Sequence, residues 1–204
     1  VAPGRHVVFP GLVDDHDQLH WAECDDSQVV PCEAVSVTKD GFLRYRKPME
    51  ATTSTPPQQG MLSVDKVIWV GNDQLEARSQ RDGSLSWTLK LATQFGAFVG
   101  APSQTSDNPG SWTLVSVVEV LPGRLAGVGL FSFGDGRSMP YRTVLFETDT
   151  ATGAVVKLSE WDGYMQAMVA NERGDLYTSA YFFSDAGSGQ ATSVAGLVSY
   201  DKNL

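Results

Sequence analysis

Glycine and proline punctuate this chain from end to end, 20 and 10 of them in 204 residues, and leave little room for a helix of ordinary length. What lies between the interruptions alternates. Leu85, Trp87, Leu89 and Leu91 interleave with Ser84, Ser86, Thr88 and Lys90, and Val35 and Val37 interleave with Ser36 and Thr38. A period of two gives a strand one buried and one wet face. Val144 and Phe146, beside Thr143 and Glu147, follow the rule in part. Residues 67–70 and 177–183 are apolar on both faces and are expected in the middle of a packed sheet. Turn signals separate the runs: Lys39-Asp40-Gly41, Arg81-Asp82-Gly83, Leu121-Pro122-Gly123, Gly134-Asp135-Gly136, Ala151-Thr152-Gly153 and Glu172-Arg173-Gly174. Residues 73–81, which could be mistaken for helix, hold one strong apolar residue, Leu75, and read as strand. The expected fold class is all-β.

Composition narrows the function classes. With 42% hydrophobic residues the chain can bury a core, and the formal net charge of -9 argues against a polyphosphate partner held over a broad basic surface. Nucleic acid is therefore not expected. No run approaches 18 apolar residues, so no membrane-spanning helix is expected. Cys24 and Cys32 stand eight apart around Asp25-Asp26-Ser27-Gln28, a polar, turn-like setting that suits a hairpin disulfide. A disulfide implies an oxidising compartment: periplasm, cell surface or medium. The chain opens on Val1 with no basic or apolar leader, which reads as a processed or excised piece.

Internal repetition organises the rest. Asp17-Gln18-Leu19-His20 recurs as Asp73-Gln74-Leu75-Glu76, more loosely around Leu145 and in shortened form around Leu197. Taking those four leucines as equivalent gives sets of short strands over about 1–33, 34–92, 111–161 and 164–204, the last incomplete. Repeats of this length describe the blades of a β-propeller, four-stranded antiparallel sheets that hide their faces by stacking round an axis. The run from Lys66 through Asp73-Gln74-Leu75-Glu76-Ala77 to Asp82-Gly83-Ser84-Leu85-Ser86-Trp87 resembles a pyrroloquinoline-quinone-type propeller repeat. In that family a polar hairpin and a Leu-led strand lead to an acidic-Gly or Thr-Gly turn. A Trp follows four residues later, as Trp87 follows Gly83. The resemblance implies about four blades, hence a segment of a larger or split propeller, because closed propellers of that family need more. A β-sandwich is the alternative.

The densest polar cluster is Asp14-Asp15-His16-Asp17. Carboxylates beside an imidazole can bind a hard cation, and they equally make a solvated hairpin tip. These four residues and Trp21, beside His20 and near the cysteines, are the candidate binding residues, and the pattern names no particular metal. No catalytic residue is assigned: there is no G-x-S-x-G, and Ser138 lacks that context. Gly127-Val128-Gly129 and Gly187-Ser188-Gly189 are not followed by the helix a phosphate loop needs, and read as strand relief and a loop. No cofactor is expected. Calcium and a quinone are what the resembled enzymes hold, with paired adjacent cysteines and calcium ligands, whereas Cys24 and Cys32 are not adjacent. Trp69, Trp87, Trp112 and Trp161 read as packing between blades. Residues 51–60 and 101–111 read as long polar loops suited to recognition.

The expectation that results is a noncatalytic, exported propeller module, a scaffold that binds a protein or a cell-surface polymer. The alternatives are part of a quinoprotein-like oxidoreductase or metal-dependent propeller lyase, and a structural β-sandwich of an extracellular assembly.

Overall fold

A computed structural model describes residues 4–7, 11–25, 32–50, 56–96, 110–133, 141–185 and 191–200. Several expected features lie outside these residues: most of the two long loops, the turn at 134–136, Ser138, the loop at 187–189 and the residues after Tyr200. The described chain is all-β apart from one short helix, with antiparallel pairing throughout.

The chain divides into two compact units, Val1–Leu89 with Thr150–Gly153, and Lys90–Asp149 with Ala154–Leu204. The first unit holds two sheets. One contains β1 (Arg5–Val7), β2 (Leu12–Val13), β3 (Leu19–Asp25), β4 (Glu33–Val37) and β5 (Leu43–Pro48), in the order β1-β3-β4-β5 with β2 also on β3. The other is a meander of β6 (Gln59–Ser63), β7 (Lys66–Val70), β8 (Gln74–Ser79) and β9 (Leu85–Lys90). Asp-Gly turns do what the sequence suggests: Gly83 closes the β8–β9 hairpin at φ +69°, where a side chain is strained and a Cβ would also meet the Tyr45 ring.

Cys24 and Cys32 form a disulfide between the end of β3 and the start of β4. Both are buried among Ala22, Ala34, Tyr45, Met49, Val67 and Trp69, with Leu12 and Leu62 beside them. This is the core between the two sheets. Its other component is ionic. Glu76 and Arg78 stand two apart on β8 and so share a face, opposite Trp69 and Val67 of β7. The Arg78 guanidinium bonds Glu76 and donates to the carbonyls of Gly83 (2.8 Å) and Pro48 (2.6 Å), while the Glu50 amide donates to Glu76 (2.8 Å). The pair thus ties the chain leaving β5 to the second sheet. Trp87 donates its indole N–H to the Thr150 carbonyl at 2.8 Å.

The second unit begins with α1 (Leu91–Phe95), whose Leu91 and Phe95, four apart, are both buried. It continues as β10 (Ser111–Leu121), β11 (Arg124–Ser132), β12 (Tyr141–Asp149), β13 (Val155–Ala170), β14 (Leu176–Asp185) and β15 (Ala191–Tyr200), paired in sequence order. The long β13 changes partner midway, joining β12 through residues 155–162 and β14 through 163–170. Val120, Ala126, Val128, Leu145, Met165, Met168, Leu176 and Ala180 form its core. Phe95 packs on Trp112 and Phe146, and Trp161 on Phe182, which bears out the packing reading of these tryptophans.

Four expectations change. Strands over 33–48 pair with β3, so the first sheet runs to Pro48 and the set expected over 34–92 is divided. Leu75 and Leu145 lie third in their meanders, but Leu19 opens β3, which is second from its edge, so the equivalence of Leu19 fails. The cause is the Cys24–Cys32 connection and the Asp40-Gly41 turn, which together carry two further strands onto β3. Leu91 belongs to a helix: it and Phe95, one turn apart, are buried while Thr93, which a strand would place on the same face, is exposed. Ser36 faces the core, since β4 is central and hidden on both faces, whereas residues 177 and 179 of β14 face outward.

Gly127 pairs with Phe146 across β11 and β12, and a Cβ there would stand against the edge of the fully buried phenyl ring, inside van der Waals contact. Gly127→Ala should lower unfolding stability by about 1–3 kcal/mol through overpacking. Urea denaturation checks this; an unchanged midpoint would contradict the packing.

Candidate functional site

The β2–β3 turn carries the acidic cluster, and its first residue is its anchor. Asp14 is 7% exposed. Its Oδ1 accepts the backbone N–H groups of His16 and Gln18, both at 2.9 Å, and its Oδ2 lies 3.0 Å from Nε2 of His20. The Asp14 N–H donates to the Gln18 carbonyl and the Asp17 N–H to the Asp14 carbonyl, and Asp17 takes φ +57°. Asp15 and His16 are exposed and paired with each other at 2.9 Å. Burial pushes the Asp14 carboxyl up, but the bonds from His20 and the two amides together outweigh it and hold the group below its ordinary value.

His20 continues the network inward. It pairs with Ser36 across β3 and β4, and Ser36 pairs with Tyr45 across β4 and β5, so the three side chains form one row on the core face. Nδ1 of His20 lies 3.0 Å from the Tyr45 hydroxyl. With Nε2–H donating to the Asp14 carboxylate, the hydroxyl donates to Nδ1. Burial pushes the Tyr45 phenol up to about 12, against the pull of Arg78 and Arg44, so it stays protonated. His20 is fully buried with both nitrogens engaged. The row is therefore a structural bolt, with both ring nitrogens of His20 taken up inside it.

The outer end of the bolt floors a cleft of about 410 Å³. It is lined by Asp14, His16 and Gln18 from the β2–β3 turn, Arg44 from β5, Asp65 from the β6–β7 turn, and Ser79, Gln80 and Arg81 at the β8–β9 turn. These turns share one end of the two sheets, and the disulfide closes the opposite end. Arg44 donates to the Arg81 carbonyl at 2.8 Å, and the Gln80 side chain donates to the carbonyls of Val64 and Lys66. A loop and two turns from both sheets are so held in one rigid rim.

Of the residues the sequence singled out, Asp14 and His16 line this cleft. Asp15 sits on the same turn, and Asp17 supplies its left-handed backbone. Asp14, Asp15 and His16 offer ligand atoms within 4.8 Å of one another. Those of Asp14 already accept three hydrogen bonds, and these explain the turn without an ion. Trp21 is not part of the cleft. Its neighbours along β3 alternate faces, and its indole N–H donates to Glu23 at 2.8 Å in a cluster with Arg46 and Glu33. Sequence reasoning missed Arg44 and Arg81, which stand in unrelated turns, and missed the His20–Tyr45 bond, which joins residues 25 apart.

No family model matches the chain, and no curated protein matches it. Solved structures do. A PL25 polysaccharide lyase, an ulvan lyase bound to -[GlcA(1-4)Rha3S]-, is 9% identical with a TM-score of 0.51, over 95% of this chain and 55% of that one. An oligogalacturonate lyase in complex with manganese is 10% identical with a TM-score of 0.46, over 96% of this chain and 53% of that one. These neighbours are β-propeller-like, and the likeness to the ulvan lyase concerns the fold alone. The chain spans about half the length of the structures it matches.

Two outcomes test the bolt. Tyr45→Phe leaves the buried His20 Nδ1 unpaired and should cost about 1–3 kcal/mol, whereas Ser36→Ala, at a buried hydroxyl without a partner among the described residues, should cost nothing measurable. Equal losses in urea denaturation would contradict the network. Because Asp14 is depressed, its contribution is full above the unfolded carboxyl value, near 3.9, and fades as pH falls through the folded value. Asp14→Asn should therefore flatten the acid limb of stability against pH; a limb of unchanged slope would argue against this origin.

Proposed function

We propose that the chain is a noncatalytic, exported propeller-type module that binds a cell-surface polymer, specifically a polysaccharide. The cleft at the turn end of the first unit carries the reading. At about 410 Å³ it falls within the roughly 300–1,000 Å³ of small-ligand sites, enough for a short stretch of a sugar chain. The lining also matches sugars. Hydroxyl groups donate and accept at once, and carboxylate, amide, hydroxyl and guanidinium groups all converge here.

The noncatalytic half rests on His20 and Tyr45. Both lie buried with their polar atoms engaged in each other and in Asp14, and the exposed His16–Asp15 pair on the β2–β3 turn is the acid–base pair that the competing lyase reading would use. A general base must reach the proton it takes. Export rests on the disulfide, buried in the core of the first unit. The pyrroloquinoline-type repeat then supplies a scaffold and requires no quinone.

The competing reading is a propeller lyase, and one experiment separates the two. Electrophoresis through gels cast with a panel of polysaccharides should show retardation in at least one. Prolonged incubation with that polymer should yield no new reducing ends and no ultraviolet absorbance from unsaturated sugar. Retardation with steady depolymerisation would replace the module with an enzyme. Absence of retardation in every gel would remove the polymer.

A further inference from the structure

We infer that β15 is a self-association edge: two copies of the chain pair antiparallel through this strand about a two-fold axis at Gly196, which joins their second units in one continuous sheet. The inference is independent of the cleft and of its ligand. Among the described residues β15 pairs with β14 alone, so the sheet of the second unit ends on it. An end strand presents a row of backbone N–H and C=O groups that another strand satisfies as a ladder. Proteins guard such rows by shortness, charge, proline or bulges. The other sheet ends of this chain follow that practice. β1 has three residues, β6 five and β9 six. β5 carries Arg44, Arg46, Lys47 and Pro48. β10 carries Glu119 and has two irregularities in its ladder. β15 has none of these guards. It runs ten residues, Ala191–Tyr200, without an acidic or basic side chain and without proline. Its register with β14 is unbroken from Asp185↔Ala191 to Leu176↔Tyr200.

The sequence of the strand says what covers it. Ser193-Val194-Ala195-Gly196-Leu197-Val198-Ser199 reads the same by residue class in either direction: Ser outermost, then Val, then an aliphatic residue, with Gly at the centre. In an antiparallel pair on a two-fold axis each residue meets its mirror across the centre, on the same face of the sheet. A centre at Gly196 sets Leu197 opposite Ala195 of the second copy, Val opposite Val and Ser opposite Ser, so like meets like along the ladder. A partner of unrelated sequence gives no reason for this symmetry. Leu197 is 78% exposed and Ala195 and Ser199 are exposed on either side of it, so the outer face of the strand leaves an apolar side chain in water. Gly196 also has no cause within its own chain. Its φ is not in the left-handed region, and a Cβ there would meet the Phe182 ring at 3.7 Å, an ordinary contact. Glycine weakens the interior of a strand, and one standing there marks the close approach of another backbone. Charge points the same way. Two copies of a chain with net charge -9 repel each other, and a strand free of acidic residues is where they can meet.

The test is sedimentation of the full chain over a range of concentrations, with disulfide trapping to read the register. The inference expects a monomer–dimer equilibrium that moves toward dimer as added salt screens the net charge. Leu197→Glu sets two carboxylates about 7–8 Å apart on one face of the joined sheet. It should weaken the dimer about tenfold or more, with the circular dichroism spectrum unchanged because the side chain is exposed. Mild oxidation of an equal mixture of the Ala195→Cys and Leu197→Cys variants should give cross-linked dimer, and either variant alone little, since only the mixture sets one thiol opposite another. A monomer at every concentration would overturn the inference and leave the edge to a different strand. A dimer indifferent to Leu197→Glu would put the contact elsewhere and overturn it too. Cross-linking as efficient in either variant alone as in the mixture would overturn the register, and assembly beyond the dimer would overturn the two-fold axis.

Discussion

A small twisted sheet has two faces and cannot hide both alone, and everything in the first unit depends on how two such sheets hide one face against each other. The contact works by unequal partners. β7 offers Trp69 and Val67, and the first sheet answers with Ala22, Ala34 and the disulfide sulfurs, small enough to admit the indole. Gly60, paired with Trp69 from β6, makes the same allowance from beside it on the core face. Burial of this kind is non-directional and would tolerate sliding. The polar groups remove that freedom. The Glu76–Arg78 pair fixes the segment after β5 to the second sheet, and the Asp14–His20–Tyr45 row fixes the β2–β3 turn to β5.

Those two fastenings explain why the cleft can be precise although every residue lining it stands in or beside a turn. Asp14 braces its own turn through two amides and reaches the core through His20. Arg44 spans to the β8–β9 turn, and Gln80 spans to the β6–β7 turn. The rim is built from backbone carbonyls and amides crossing between hairpins, so a ligand meets groups already in place and pays little for ordering them. The charged groups of the rim serve the same end: Asp14 accepts two amides of its own turn, Asp65 pairs with Lys66, and Arg44 donates to the Arg81 carbonyl.

How much of this was legible in the sequence depends on the range of each interaction. The strand over 85–89 (though with Leu85 exposed and not buried), the Asp-Gly turns, the strand over 73–81 and the Cys24–Cys32 bridge are local, and local rules found them. The acidic cluster was visible as a cluster, but its division of labour was not. Asp14 turned inward because three donors converge on it, and none of them is marked by composition. Glu76 and Arg78 look like a wet face, since two charges at period two are what an exposed strand shows. Their burial follows from a third segment, residues 48–50, folding over them. The equivalence of Leu19 with Leu75 failed for a related reason: a repeated tetrapeptide records a turn-to-strand junction, and such junctions occur at more than one place in a meander. Arg44 and Arg81 lie 37 residues apart and meet only through the packing of the two sheets.

The central claim is that the two sheets of the first unit form one cooperative body whose turn end is set before any ligand arrives. Native-state amide hydrogen exchange, resolved by residue, tests it most directly. The account predicts that the slowest amides of β3 and β4 and those of β7 and β8 share one opening free energy, and that the amides of His16 and Gln18 are protected in the free protein. Separate opening energies for the two sheets, or His16 and Gln18 amides that exchange as freely as a solvated loop, would contradict it.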